Sequence, residues 1–141
     1  MSERIFKMRI FCDYKEPDNM VESQQVELFK ENEWADFDLN TGTAGFLIFV
    51  YAVLACQQMH LRLGCKDRGL KLASAAGDIE IITTEDWHIS KLRVDFAASL
   101  KAGEPVAEDV EAIIARMKSC PVSKNLTFAP RAETTLGFRL N

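Results

Sequence analysis

Residues 44–70 read AGFLIFVYAVLACQQMHLRLGCKDRGL, and they decide the fold. From Ala44 to Cys56 run 13 residues without a charged or amide side chain. A strand seldom exceeds ten residues, so length predicts one helix, Ala44–Arg68. Its first half is apolar all round, as in a helix covered on every side. Its second half is amphipathic, with Arg62, Lys66, Asp67 and Arg68 polar, and Arg68-Gly69 makes a C-terminal stop. The apolar run is shorter than the 20 or so residues that cross a bilayer. A core or interface helix is the reading, with no membrane partner. So greasy a helix in a chain of 141 residues also predicts a homodimer that shares the cover.

Upstream, Arg4–Tyr14 reads as a strand that stops at the turn cluster KEPDN. Gln25–Phe29 and Trp34–Leu39 follow as strands, and Asn40-Thr41-Gly42-Thr43 supplies capping groups for the helix. Downstream, Gly77-Asp78 opens a hairpin with strands Ile79–Thr84 and Trp87–Phe96. Pro105–Ser119 is an amphipathic helix, because Val110, Ile113, Ile114 and Met117 follow the i, i+3, i+4, i+7 pattern. Thr134–Leu140 is a last strand. The expected architecture is α+β: one domain over 1–141, an antiparallel sheet, a long central helix and a second amphipathic one.

Composition narrows the function. With 48% hydrophobic and 27% charged residues the chain is an ordinary globular one. A net charge of -4 gives no excess of cations for a phosphate backbone, so no nucleic-acid partner is expected. The opening MSERIFKMRIF lacks the apolar core of a secretory signal. The cytoplasm is therefore the expected compartment, and the four cysteines are expected there as thiols.

None of these cysteines forms C-x-x-C or a Cys/His grouping with zinc spacing, so neither a metal nor another cofactor is expected. Cys12 and Cys65 have nothing nearby to recommend them. Cys56 lies four residues before His60, one turn along the same helix face. An imidazole there could help generate the nucleophilic thiolate; equally, Cys56 could be a small buried packing residue. Cys120 closes the second helix just ahead of Pro121. Trp87 and His88 read as packing and surface residues.

The stretch FLIFVYAVLACQQMHLRLGCKDRGLKL, followed 64 residues after Cys56 by SCPVSKNL at Cys120, resembles the two motifs of the OsmC/Ohr family of osmotically inducible and organic hydroperoxide resistance proteins. The likeness spans about residues 44–140, with the hairpin and amphipathic helix of that fold between the motifs. It implies an intertwined homodimer and a thiol-dependent peroxidase of organic hydroperoxides, an antioxidant in oxidative stress defence. Cys56 would be the peroxidatic and Cys120 the resolving cysteine, with a dithiol or lipoyl protein as reductant. Phe46, Phe49, Val50 and Val53 would then supply an apolar cleft, or simply core.

The chain departs from that pattern in one respect. The resemblance calls for an arginine beside the reactive cysteine and a glutamate about ten residues upstream to hold it. Phe46 occupies that upstream position, and no carboxylate lies between Asp38 and Cys56. The candidates to activate the thiolate are Arg9 and His60, with Lys15 a third cation at the turn. Without one of them, the alternative is a non-catalytic dimer of the same fold that binds an apolar small molecule beside Cys56.

Overall fold

The computed structural model describes residues 2–126 and 132–140. The elements run β1 (Arg4–Lys15), β2 (Met20–Lys30), β3 (Glu33–Asp36), α1 (Gly45–Asp67), β4 (Lys71–Thr83), β5 (Ile89–Ala102), α2 (Ala107–Lys118), a short 3-10 turn (Ser123–Asn125) and β6 (Ala132–Leu140). They form one six-stranded sheet, in the order β3-β2-β1-β4-β5-β6, with both helices packed against it.

Strand alternation sorts the residues. On β1, Met8, Ile10, Cys12 and Tyr14 are buried beneath the helices, while Arg9 and Phe11 face the other way. On β4 and β5 the inward set is Ile79, Ile81, Leu92, Val94, Phe96, Ala98 and Leu100. The outer face carries charge ladders, among them Lys91–Glu80 and Arg93–Glu133.

Three differences from the sequence reading have physical causes. First, β6 runs parallel to β5 and not antiparallel. A parallel neighbour needs a crossover, and α2 supplies it. Second, Gly77-Asp78 lies mid-strand: β4 begins at Lys71, eight residues earlier than predicted. The small run Ala73–Gly77 has no strand-like bulk of its own, yet Gly77 must be small. A Cβ there would stand 2.3 Å from the Phe96 ring. Third, Trp87 sits in the β4–β5 turn with φ +68, so β5 starts at Ile89.

Helix α1 lies over β1 and β4, with Val50, Val53, Leu54 and Leu61 buried. Its length and apolarity would suffice to cross a membrane, yet its polar side chains are spent on tertiary bonds. Gln58 donates to the Tyr14 hydroxyl at 2.7 Å, and Arg62 to the Asp18 carbonyl at 3.1 Å. Helix α2 lies beside α1 and against β6. Its first turn is fixed by Asp109, which accepts from the Val106 N–H at 3.0 Å and from Arg68 at 3.2 Å.

Candidate active site

Cys56, His60 and Gly64 recur every four residues and share one side of α1. Along that side α2 runs in the opposite sense. Gly64 meets Ile113, where an added Cβ would come within 3.3 Å. His60 feels the charge of Arg116, itself bonded to Asp67, and the Cys56 thiol meets that of Cys120. Antiparallel helix packing thus joins two cysteines 64 residues apart. Both are free thiols; Cys56 is half-buried and Cys120 fully buried.

After α2 the chain turns through Cys120-Pro121-Val122-Ser123. The turn is closed by the Lys124 N–H on the Cys120 carbonyl (2.9 Å) and by the Asn125 side-chain amide on the Pro121 carbonyl (2.7 Å). Its backbone addresses both sulfurs. The Ser123 N–H donates to Cys120 Sγ at 3.3 Å, and the Val122 N–H, close to Cys56, favours its thiolate form. Gln57, buried to 2% exposure, donates through Nε2 to Ser123 Oγ at 3.0 Å and accepts from the Thr134 hydroxyl at 3.2 Å. One amide therefore ties α1 to the turn and to β6.

Burial is the main force on the Cys56 thiol and pushes its pKa above the ordinary value. The neighbouring Cys120 thiol pushes the same way, while the Val122 N–H pulls it down by favouring the thiolate. Neither cation that the sequence offered stands beside it. Arg9 projects from the opposite face of the sheet, as the alternation of β1 dictates. Its Nε is 2.6 Å from Glu27, and its guanidinium lies 4.0 Å from the Trp34 ring centre. Lys15 is exposed at the end of β1. His60 shares the Cys56 side of the helix, but its Nδ1 is buried with no hydrogen-bond partner among the described residues. Burial, and then Arg116, lower its pKa, so it is neutral at pH 7 and lends the thiolate no charge.

Phe46, at the expected carboxylate position, packs into an aromatic cluster. Its ring is 4.7 Å from Phe6, 5.3 Å from Trp87 and 5.6 Å from Phe49. Val50 and Val53 are fully buried core residues. Trp87 is 48% exposed, packed on Phe6 and Phe46 under Arg4, so it is both packing and surface. Cys12 and Cys65 are buried, their pKa values raised chiefly by burial. No group of three or more potential metal ligands occurs among the described residues.

A family model described as OsmC-like protein matches residues 39–135, an interval that holds α1, Cys56, α2, Cys120 and the turn that follows it. The chain belongs to the OsmC-like family. Solved structures of similar fold include an OsmC-like hydroperoxide resistance protein from Jannaschia sp. CCS1, at TM-score 0.58 and 13% identity over 86% of each chain. An OsmC-like protein from Mycoplasma pneumoniae aligns at TM-score 0.54 and 10% identity over 92% of this chain and 94% of that one. An osmotic stress induced and detoxification response protein from Psychrobacter arcticus 273-4, so described with reserve, aligns at 0.54 and 10% over 82% and 87%. Identities so low speak to the fold alone. No curated protein sequence matches the chain.

Gln57, Ser123 and the Val122 N–H were not apparent as site groups in the sequence of this OsmC-like chain. The available signal was Gln57-Gln58 directly after an apolar run. It reads as the end of that run, whereas both amides are buried and bonded.

Proposed function

We propose that this OsmC-like protein is a two-thiol peroxidase of organic hydroperoxides that serves in oxidative stress defence. The observation that carries the reading is the contact between the half-buried Cys56 thiol and the fully buried Cys120 thiol. In the first step the Cys56 thiolate attacks the terminal oxygen of ROOH. The O–O bond breaks, RO⁻ leaves and takes up a proton as ROH, and Cys56 becomes a sulfenic acid. Cys120 then attacks the Cys56 sulfur, an S–S bond forms, and the hydroxyl departs with the Cys120 proton as water. A dithiol, free or lipoyl, restores both thiols by exchange and is itself oxidised to a disulfide. The Val122 N–H is the donor that accompanies the negative sulfur.

A second copy of the chain completes the proposal. Ile48 and Met59 are 42% and 49% exposed, and with Ala52 and Ala55 they fall on one side of α1. A homodimer through that stripe would cover it, and the cytoplasm is the compartment that would keep the thiols reduced. The test mixes the reduced protein with a slight excess of cumene hydroperoxide and follows free thiols. Prompt loss of two thiols per chain, abolished by Cys56→Ser, supports the reading; four persistently titratable thiols sink it. The absence of any Arg or Lys bonded to Cys56 among the described residues favours one alternative, a non-catalytic dimer that binds an apolar molecule there. It would show ligand-dependent stabilisation with no thiol loss.

A further inference from the structure

Gln57, on the helix that carries Cys56, bonds both the cysteine turn and the last strand. It directly follows Cys56 and is 2% exposed, so both ends of its side chain must be partnered. Its nitrogen is held by Ser123 Oγ (3.0 Å) and its oxygen by the Thr134 hydroxyl (3.2 Å). Ser123 in turn presents its backbone N–H to Cys120 Sγ at 3.3 Å, and the preceding N–H, of Val122, addresses Cys56. A shift of the turn relative to α1 would therefore move both donors and Cys120 together.

We infer that Gln57 is a positioning residue that holds the Cys120 turn in register with Cys56, and thereby sets how readily the two sulfurs join. The inference rests on the two-thiol reading above. It concerns the closure of the pair and not the attack on peroxide. Gln57 meets neither sulfur through a bond of its own; it acts through Ser123. The adjacent Gln58 provides the contrast. It is also buried on the same helix and donates at 2.7 Å, but to Tyr14 on β1, away from the turn.

The experiment equilibrates the reduced protein with mixtures of oxidised and reduced glutathione. The Cys56–Cys120 disulfide is then counted by mass after acid quench and alkylation. Forming it consumes one glutathione disulfide and releases two glutathione thiols. Gln57→Met keeps the volume and removes the bonds; its disulfide equilibrium constant is expected to fall about fivefold, the worth of one neutral hydrogen bond. Ser123→Ala, which reaches the same bond from the half-buried turn, should produce a matching fall. The double variant should fall no further than either single one, since the two act as a unit. Gln58→Met, which loses a comparable buried bond, should leave the constant at the native value. A Gln57→Met constant within about twofold of native, less than a hydrogen bond supplies, overturns the assignment. So does a fall in Gln58→Met equal to that in Gln57→Met, which would mark general loosening of α1. No hydroperoxide enters this equilibrium. A protein that ignores cumene hydroperoxide yet shows the pattern refutes the peroxidase reading and leaves the role of Gln57 standing.

Discussion

Substituting Val122 by proline should slow the reactions of Cys56 by removing one proton donor. Val122 has φ -76, inside the range that the proline ring imposes, and its N–H makes no backbone bond among the described residues. The substitution therefore deletes the donor that favours the Cys56 thiolate and no ladder bond. A hydrogen bond to a charged acceptor contributes about 1.5–3 kcal/mol. Cys56 is only partly buried, so water replaces part of that, and the lower figure applies. About 1.5 kcal/mol is roughly a tenfold loss of thiolate at any pH well below the pKa.

The assay is the second-order rate of iodoacetamide alkylation against pH. The other three cysteines are at most 3% exposed, so the folded protein reports Cys56. Val122→Pro should react about tenfold more slowly than native at pH 7 and at the same limiting rate on the alkaline plateau. Cys120→Ala should move the opposite way, because the Cys120 thiol holds the Cys56 pKa up. Equal rates for Val122→Pro and native at pH 7 would refute the role of the N–H. A deficit that persists on the plateau would trace the effect to access and refute it equally.

Three further outcomes concern stability. Burial pushes the Cys65 thiol up from its ordinary 9.0 to about 12, so the neutral form stabilises the fold fully below pH 9. That contribution, up to about 4 kcal/mol, should be lost between pH 9 and 12; urea midpoints of native protein and Cys65→Ala should converge across that window. Gly77→Val would drive side-chain atoms into the Phe96 ring, which already stands 2.3 Å from an ideal Cβ, and should cost about 1–3 kcal/mol in urea unfolding. Asn19→Ala strands the Leu70 carbonyl and the Leu72 N–H, bonded at 3.0 and 2.9 Å. It should cost about 1–3 kcal/mol, read from the thermal midpoint, and leave alkylation of Cys56 unchanged.

The helices were legible because their signals are local. The apolar run before Cys56 is too long for a strand, and Val110, Ile113, Ile114 and Met117 repeat at helical spacing; α1 and α2 match within a few residues. The start of β4 was not legible, because Gly77 in the small run is kept bare by the ring of Phe96, a contact invisible along the chain. Nor was the direction of β6. Alternation along Thr134–Leu140 is the same for parallel and antiparallel pairing, and only the crossover through α2 decides between them.

The site divides in the same way. The motif resemblance singled out Cys56 and Cys120, and the opposed courses of α1 and α2 explain their meeting. Charged side chains are the activating groups that a sequence displays, and among the described residues none serves. Arg9 has the right charge but the wrong parity on β1, and it is spent on Glu27 and Trp34. His60 has the right face but is held neutral. What opposes the burial of Cys56 is instead the backbone N–H of Val122, a group that every residue except proline carries and that no composition or spacing reveals. What makes this N–H special is position, which comes from the closed turn and from Gln57, bonded to the adjacent Ser123. A dipole so placed loses little to salt, whereas an exposed cation would be screened. Burial still holds the Cys56 pKa above its ordinary value, and Phe46, with no carboxylate at its position, packs in the aromatic cluster with Phe6 and Trp87.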